Sequence, residues 1–276
     1  MREVRPRTAT TFQTASIALL RDQAATALAA PAASLTPDQR TKIRNLAVSL
    51  SELGNILLLQ EDPQCLPHLQ EALALAQRIG DSVAEGQPAL SLGNAYLYLP
   101  GLRDLDQAEH WFRHSLSLLP GRDQLGRAQS LGSLGTVALQ RFDDARAAGE
   151  AGPVLLDHLK AALSRQRQAL DLTPAADHQT RGITENQLGN IYSTIGDTRQ
   201  ALRHYQQAIQ HHEARGDVAA AGLTRHDIAL LLAGDGRISD ALHYARAARH
   251  NYQQAGAARD AAEAEQLIAD LEQRNG

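Results

Sequence analysis

Apolar positions along the chain recur at helical spacing and are interrupted by short polar turns. In residues 185–217, ENQLGNIYSTIGDTRQALRHYQQAIQHHEARGD, the apolar Leu188, Ile191, Tyr192 and Ile195 lie three or four residues apart, which is the period of an amphipathic helix. GDTRQ then offers a glycine that ends one helix and polar residues that begin the next. A similar pattern follows in LTRHDIALLLAGDGRISDALHYARAA. We predict two consecutive pairs of helices, each with a sharp turn.

The pair recurs along most of the chain when the sequence is aligned on a small residue in each first helix. Successive small residues are separated by 39, 42, 54, 40 and 40 positions, and they are Gly54, Gly93, Gly135, Gly189, Ala229 and, in a final single helix, Ala269. Fixed-period self-similarity predicts a stack of repeats, because one pair cannot bury its apolar face alone. The one long interval indicates an insertion at 141–155, which would either extend the helices or form a flexible flap.

Each predicted second helix also carries two small residues seven positions apart. These are Cys65 and Ala72, Ala108 and Ser115, Ala162 and Ala169, Ala201 and Ala208, and Ala241 and Ala248. Small side chains let two helices pack closely together. The single cysteine is one of them, so we expect it to be a buried packing residue and not a nucleophile.

The small, aromatic and alanine positions in LGNIY…A…Y…A and LGNAY…A…F…S resemble a tetratricopeptide repeat. The forty-residue spacing is similar to that of kinesin light chains, Pins-type polarity adaptors and the C-terminal arrays of bacterial NB-ARC regulators. The resemblance covers about residues 40–274. It implies an all-α, right-handed superhelical solenoid of five antiparallel helix pairs with end helices, and a non-catalytic role in binding proteins.

The resemblance divides the chain into three expected regions. They are an N-terminal capping helix and loop at 1–36, the array at 37–256 and a C-terminal capping helix at 257–276. In SLTPDQRTK, Thr36 can cap a helix whose first turn holds Pro37 and Asp38. The first helix could equally be the remnant of a repeat in a longer parent protein.

Composition narrows the classes of partner. The net charge is −4 and apolar residues make up 43 % of the chain, with 4 % aromatic. This negative net charge does not favour binding to nucleic acid or to an anionic membrane. No apolar run has the length of a transmembrane helix. One cysteine excludes a disulfide framework. We expect a soluble, cytoplasmic, bacterial protein without a cofactor.

A binding face is predicted on the first helices, at positions three before, one after and four after the small residue. Asparagine follows the small glycine in three repeats, and an amide can pair with both groups of a peptide backbone. The stripe also includes Ser51, Gly132 and Ser193, and it lacks the lysine with which related domains hold a carboxylate. The predicted peptide-binding residues are Asn55, Asn94, Asn186, Asn190, His226, Leu90 and Leu97. Alternatively, the asparagines bridge adjacent helices or are only consensus residues.

No catalytic or metal motif competes with this interpretation. His110 and His114 in HWFRH lie one helical turn apart but lack the glutamate and third ligand of a zinc site. The glycines form no phosphate-binding loop, and no serine lies in a G-x-S-x-G turn. We therefore expect no enzyme. The alternative function is structural, with self-association through the outer face and aromatics such as Trp111.

Overall fold

In a computed structural model, the backbone of residues 4–275 and the side chains of 10–274 are described. This part of the chain contains twelve α-helices, one 3-10 turn at Ala32–Ser34 and no strand. The helices are α1 (Val4–Ala29), α2 (Pro37–Leu59), α3 (Cys65–Ile79), α4 (Ser82–Tyr98), α5 (Leu105–Leu118), α6 (Gln124–Ala147), α7 (Gly152–Leu172), α8 (His178–Ile195), α9 (Thr198–Ala214), α10 (Val218–Gly234), α11 (Ile238–Ala255) and α12 (Ala258–Asn275).

Consecutive helices pack against each other in pairs, as the repeat pattern predicts. Repeats one, two, four and five are α2/α3, α4/α5, α8/α9 and α10/α11. The predicted all-α helical repeat is therefore confirmed. The chain divides into two compact units, one ending at Arg141 and the other beginning at Phe142. Repeats one and two belong to the first compact unit, and repeats four and five to the second.

The small residue of each first helix marks the closest approach to its second helix. A Cβ atom built on Gly93 would lie 2.4 Å from the Phe112 ring, and one on Gly189 would lie 2.4 Å from the Tyr205 ring. The same construction on Gly54 also meets a side chain of the second helix. Real Cβ contacts are not this short, because packed carbon atoms lie about 3.5–4 Å apart. Glycine is therefore required for the observed packing.

The small residues of the second helices are buried throughout. Cys65, Ala72, Ala108, Ser115, Ala162, Ala169, Ala201, Ala208, Ala241 and Ala248 all have almost no accessible surface. Their burial agrees with the close helix packing that the sequence predicts at these positions. Cys65 is a free cysteine inside the first apolar cluster, and burial raises the pKa of its thiol. The thiolate is thereby disfavoured, which agrees with the predicted packing role.

Gly-Asp pairs explain the sharp turns between helices. Glycine adopts a left-handed backbone conformation, with φ of +66°, +84° and +67° at Gly80, Gly196 and Gly216. Because glycine has no Cβ, this conformation carries no steric cost. At each of these turns the next residue is an aspartate, Asp81, Asp197 or Asp217, whose carboxylate accepts a backbone N–H in the first turn of the following helix. Asp104 and Asp177 cap α5 and α8 in the same way without a preceding glycine.

Both end helices pack on their neighbours. Thr36 forms the predicted cap at the start of α2, in a reciprocal capping box with Gln39. Helix α1 contacts the first repeat, where Arg21 pairs with Glu71 at 2.6 Å. Helix α12 packs on α11 and buries Leu271. Residues 1–3 and 276 of the predicted end regions lie outside the described residues, and the capping role of both regions remains a prediction.

The insertion at 141–155 lengthens helices and does not form a long flap. Helix α6 has 24 residues and α7 has 21, whereas α8 and α9 have 18 and 17. A short exposed turn at 148–151 joins α6 to α7. The first of the two possibilities left open by the sequence is therefore the observed one.

Candidate functional sites

The first helices of repeats one and two enclose a cavity of about 550 Å³ in the first compact unit. Its position follows from the repeat, because α2 and α4 are first helices of neighbouring pairs. The lining residues are Arg44, Val48, Ser51, Glu52 and Asn55 from α2, with Asp81, Val83, Ala84, Gln87 and Pro88 from the start of α4.

Apolar surface is left uncovered in this cavity between α2 and α4. Val48 is 45 % exposed and Val83 is 59 % exposed. Arg44 forms an ion pair with Asp81, and the Glu52 carboxylate accepts a 2.7 Å hydrogen bond from the neutral amide of Gln13. The cavity thus combines an accessible apolar patch with a rim that lacks a strong excess of one charge.

Ser51 supplies the least satisfied polar group in the same cavity. It is only 5 % exposed, and its hydroxyl has no hydrogen-bond partner among the described residues. Helical serines commonly donate to the carbonyl four residues earlier, as Ser91 does to Gln87 at 3.1 Å. A buried polar group without a partner costs roughly 1–3 kcal/mol. Ser51 therefore has an unused hydrogen-bonding group beneath the wall of this cavity.

The structure separates the predicted binding residues of the first compact unit. Asn55 lines the cavity, whereas Asn94 is half-buried on α4 and lies outside its lining. Leu90 and Leu97 are 8 % and 4 % exposed and belong to an apolar cluster around Phe112. Their side chains stabilise repeat two and leave little surface for a ligand.

A second cavity, of about 500 Å³, lies between first helices α8 and α10 in the second compact unit. Helix α9 closes one side of it with Tyr205. The lining residues are Asn190, Ser193, Thr194, Gly196, Thr198, Tyr205, Asp227, Leu230, Leu231, Gly234 and Asp235. Asn190 and Ser193 are stripe positions of repeat four, and Leu230 is one of repeat five.

The side chain of Asn190 forms a hydrogen bond within its own repeat. Its Oδ1 accepts a 2.8 Å hydrogen bond from the Tyr205 hydroxyl. Burial, reinforced by the negative charge of Asp227, raises the pKa of this phenol far above its ordinary value. The hydroxyl therefore remains protonated and can act as the donor. This geometry matches the helix-bridging alternative for Asn190, although its amide N–H groups are not used by this bond.

Asn186 links two successive repeats. Its Nδ2 donates to Oδ2 of Asp227 at 3.2 Å, which joins first helices α8 and α10. The oxygen of the same carboxamide is buried and has no partner among the described residues. Burial raises the pKa of the Asp227 carboxyl to about 6, and the Asn186 hydrogen bond opposes that rise.

Asp227 was missed by the sequence analysis because it lies two positions before the small residue, outside the predicted stripe. The detectable signal is one acidic residue inside the apolar segment HDIALLL. The neighbouring His226 is half-buried, and burial lowers the pKa of its imidazole. This histidine therefore does not supply a strong positive charge beside Asp227 at neutral pH.

Comparison with known proteins gives structural likeness only. No family model matches the chain, and no curated protein matches its sequence. Aspartyl phosphate phosphatase F from Bacillus subtilis superposes with a TM-score of 0.65 at 15 % identity, over 82 % of this chain and 56 % of that one. BtubC (BKLC) from P. vanneervenii has a TM-score of 0.61 at 18 % identity, over 86 % of this chain and 92 % of that one.

A third similar structure is a signal transduction ATPase with numerous domains, described as having a tetratricopeptide repeat sensor, from Pyrococcus horikoshii. Its TM-score is 0.54 at 15 % identity, and the match covers 84 % of this chain but 33 % of that one. The fold is a tetratricopeptide-like helical repeat. The chain spans about half of the phosphatase and a third of the ATPase.

The remaining chemical candidates are engaged in packing. His114 binds Glu85 at 2.8 Å and stacks on His110, with ring centroids 6.4 Å apart. Trp111 is half-buried and packs against the first apolar cluster. Within the described side chains, no group of three or more histidine, cysteine, aspartate or glutamate residues could hold a metal ion. None of the described helices is both long and apolar enough to cross a membrane.

Proposed function

We propose that this chain is a protein-interaction scaffold that binds an extended peptide or protein segment on its first helices, without catalysis. The observation that carries the proposal is the α2/α4 cavity, whose lining includes two exposed valines and Ser51, with its buried hydroxyl that lacks a partner among the described residues. A site of this kind combines apolar contact with a few polar groups that fix orientation. The finer role we propose is an adaptor, or the sensing array of a cytoplasmic bacterial regulator.

The cavity's chemistry suits a peptide main chain with an apolar side chain. Val48 and Val83 would contact the side chain, while Ser51 and Asn55 would pair with backbone N–H and C=O groups. Each such hydrogen bond contributes on the order of 1 kcal/mol. Because the cavity is formed by packed helices, the receptor has little conformational entropy to lose when it binds.

The similar structures are consistent with this role but do not identify a ligand. The Pyrococcus horikoshii protein has a tetratricopeptide repeat sensor within a signal transduction ATPase. We infer by analogy a sensing role for the present chain, and we propose a polypeptide as what it detects. The phosphatase activity named for the Bacillus subtilis protein is not transferred, since the likeness at 15 % identity concerns the fold.

A peptide-display selection on the immobilised full chain tests this proposal. The cavity variant is Ser51→Ala/Asn55→Ala, which removes both polar groups from the cavity and keeps its two valines. The matched control is Asn45→Ala/Ser49→Ala, which makes the same two substitutions on α2 outside the cavity lining. Melting curves establish that all three proteins are folded.

We expect the wild type and the matched control to enrich the same peptides, each with an apolar residue, and the cavity variant to lose them. If no peptide family is enriched by the wild type, the peptide-scaffold proposal is wrong. If all three proteins enrich the same family, peptide binding stands but the α2/α4 cavity is not its site.

A further inference from the structure

The α8/α10 cavity contains a carboxyl group without a balancing positive charge. Its lining includes Asp227 and Asp235 but no lysine, arginine or histidine. Asp227 forms no ion pair with any described side chain, and its hydrogen bond comes from the neutral amide of Asn186. Burying a carboxylate is costly unless a cation or several donors accompany it.

Asn186 provides a second, independent indication of a missing partner. The residue is 8 % exposed, and its Oδ1 is a buried acceptor with no donor among the described residues. Because Nδ2 of the same carboxamide contacts Asp227, this oxygen lies beside the carboxyl group. The carboxyl group therefore receives an N–H from Asn186, whereas the neighbouring Asn186 oxygen receives none. Ammonium and guanidinium groups carry only donors and match such a pair.

The groups around Asp227 show how a basic side chain would fit. Helix α8 contributes the amides of Asn186 and Asn190, and α9 contributes the neutral hydroxyl of Tyr205. Helix α11 brings Tyr252, whose pKa is raised mainly by burial and also by nearby carboxylates. Those carboxylates include, besides Asp227, two residues of α12, Asp260 and Glu263. No cation from these elements compensates Asp227.

We propose that the α8/α10 cavity accepts a lysine or arginine side chain of the bound polypeptide, with its cationic group at the Asp227 carboxyl group that lines the cavity. Leu230 and Leu231 line the same cavity and would contact the aliphatic part of that side chain. This inference rests on the proposed function and adds the chemical class of one ligand residue. The raised pKa of Asp227 supports it, because an added cation would favour the ionised carboxylate.

The test uses the full chain and two small probes, acetyl-arginine methylamide and acetyl-citrulline methylamide. Citrulline has nearly the shape of arginine but no charge. Carbon-detected NMR signals of the Asp227 carboxyl and of the side-chain amides of Asn186 and Asn190 show whether a probe is bound in the α8/α10 cavity. Asp227→Asn removes the charge at the site, and Asp240→Asn removes one exposed charge outside the cavity lining.

We expect the arginine probe to shift the Asp227 and Asn186 signals and to bind about tenfold more tightly than the citrulline probe. That preference should persist in Asp240→Asn and vanish in Asp227→Asn. Equal binding of both probes, or no binding of the arginine probe, overturns the inference, as does a preference that survives in Asp227→Asn.

The probe titration is independent of the peptide selection. Enriched peptides without a basic residue, together with a silent titration, would reject this inference while leaving peptide binding intact. A selection that enriches nothing would reject the proposed function even if the arginine probe bound at Asp227.

Discussion

The hydroxyl of Tyr205 donates a 2.8 Å hydrogen bond to Oδ1 of Asn190, and this bond ties the two helices of repeat four together. The asparagine that follows the small glycine therefore has a structural use in this repeat. Its counterpart Asn55 lines the cavity between α2 and α4, as Asn190 lines the cavity between α8 and α10. The same register position thus lines a cavity in both repeats and, in repeat four, also ties two helices together.

Tyr205→Phe tests the structural use of Asn190. The substitution keeps the ring against Gly189 and removes only the donor, so we expect a loss of about 1 kcal/mol in the free energy of unfolding. Urea titration measures it. In a double-mutant cycle with Asn190→Ala, the second substitution should cost much less once the first is present. Strictly additive losses would show that the bond contributes nothing.

Ser51→Ala separates stability from binding at the α2/α4 cavity. Because the Ser51 hydroxyl is buried without a partner, its removal should raise the free energy of unfolding by about 1 kcal/mol. The same change should weaken binding of a selected peptide. A destabilised Ser51→Ala protein would indicate that the hydroxyl already has a partner in the free protein.

Gly93→Ala tests the close contact in repeat two. The new methyl group would meet the buried Phe112 ring at 2.4 Å, and we expect a destabilisation of about 1–3 kcal/mol from overpacking. The matched control is Gly234→Ala at the end of α10, where nothing lies within 4 Å. There, alanine should be neutral or stabilise by up to about 1 kcal/mol. Equal effects on the two melting temperatures would contradict the packing account.

Asp227 should make stability depend on pH. Burial raises its pKa from the ordinary 3.8 to about 6 in the folded protein, so the folded state binds the proton more tightly. The stability that this group contributes is greatest when the pH lies below 3.8. It is lost as the pH rises through about 6. Asp227→Asn should stabilise the protein by up to about 3 kcal/mol at pH near 8 and by much less at pH near 4.

Denaturant unfolding of wild type and Asp227→Asn across that pH range measures this effect. Asp240→Asn provides the comparison, since its carboxylate is exposed and paired with Arg237. It should change stability by less than about 1 kcal/mol. A stability difference between Asp227→Asn and wild type that does not vary with pH would show that Asp227 titrates normally.

The repeat register could be predicted from the sequence because close helix packing requires small residues at fixed positions. Only small residues fit at positions such as Gly54, Gly93 and Gly189, and they recur at nearly constant spacing. Several helix ends could also be predicted, because a Gly-Asp pair supplies a left-handed turn at the end of one helix and a cap at the start of the next. These features depend on interactions inside one repeat.

The candidate sites depend on how neighbouring repeats cover one another, which a register does not encode. Leu90 and Leu97 occupy stripe positions but are buried in a cluster that includes Leu134 and Val137 of the following first helix, α6. Ser51 was recognised as a stripe position, yet its lack of a partner is a property of the packed structure. Asp227 is a candidate because the residues that line its cavity include no lysine, arginine or histidine, which the sequence alone does not reveal.

The central claim is that Ser51 and Asn55 hold a peptide in the α2/α4 cavity. The most direct measurement is calorimetric titration of one display-selected peptide into wild type, Ser51→Ala/Asn55→Ala and the matched Asn45→Ala/Ser49→Ala control. The account predicts unchanged affinity for the control and a loss of about tenfold or more for the cavity variant. Equal affinity for all three folded proteins would contradict it.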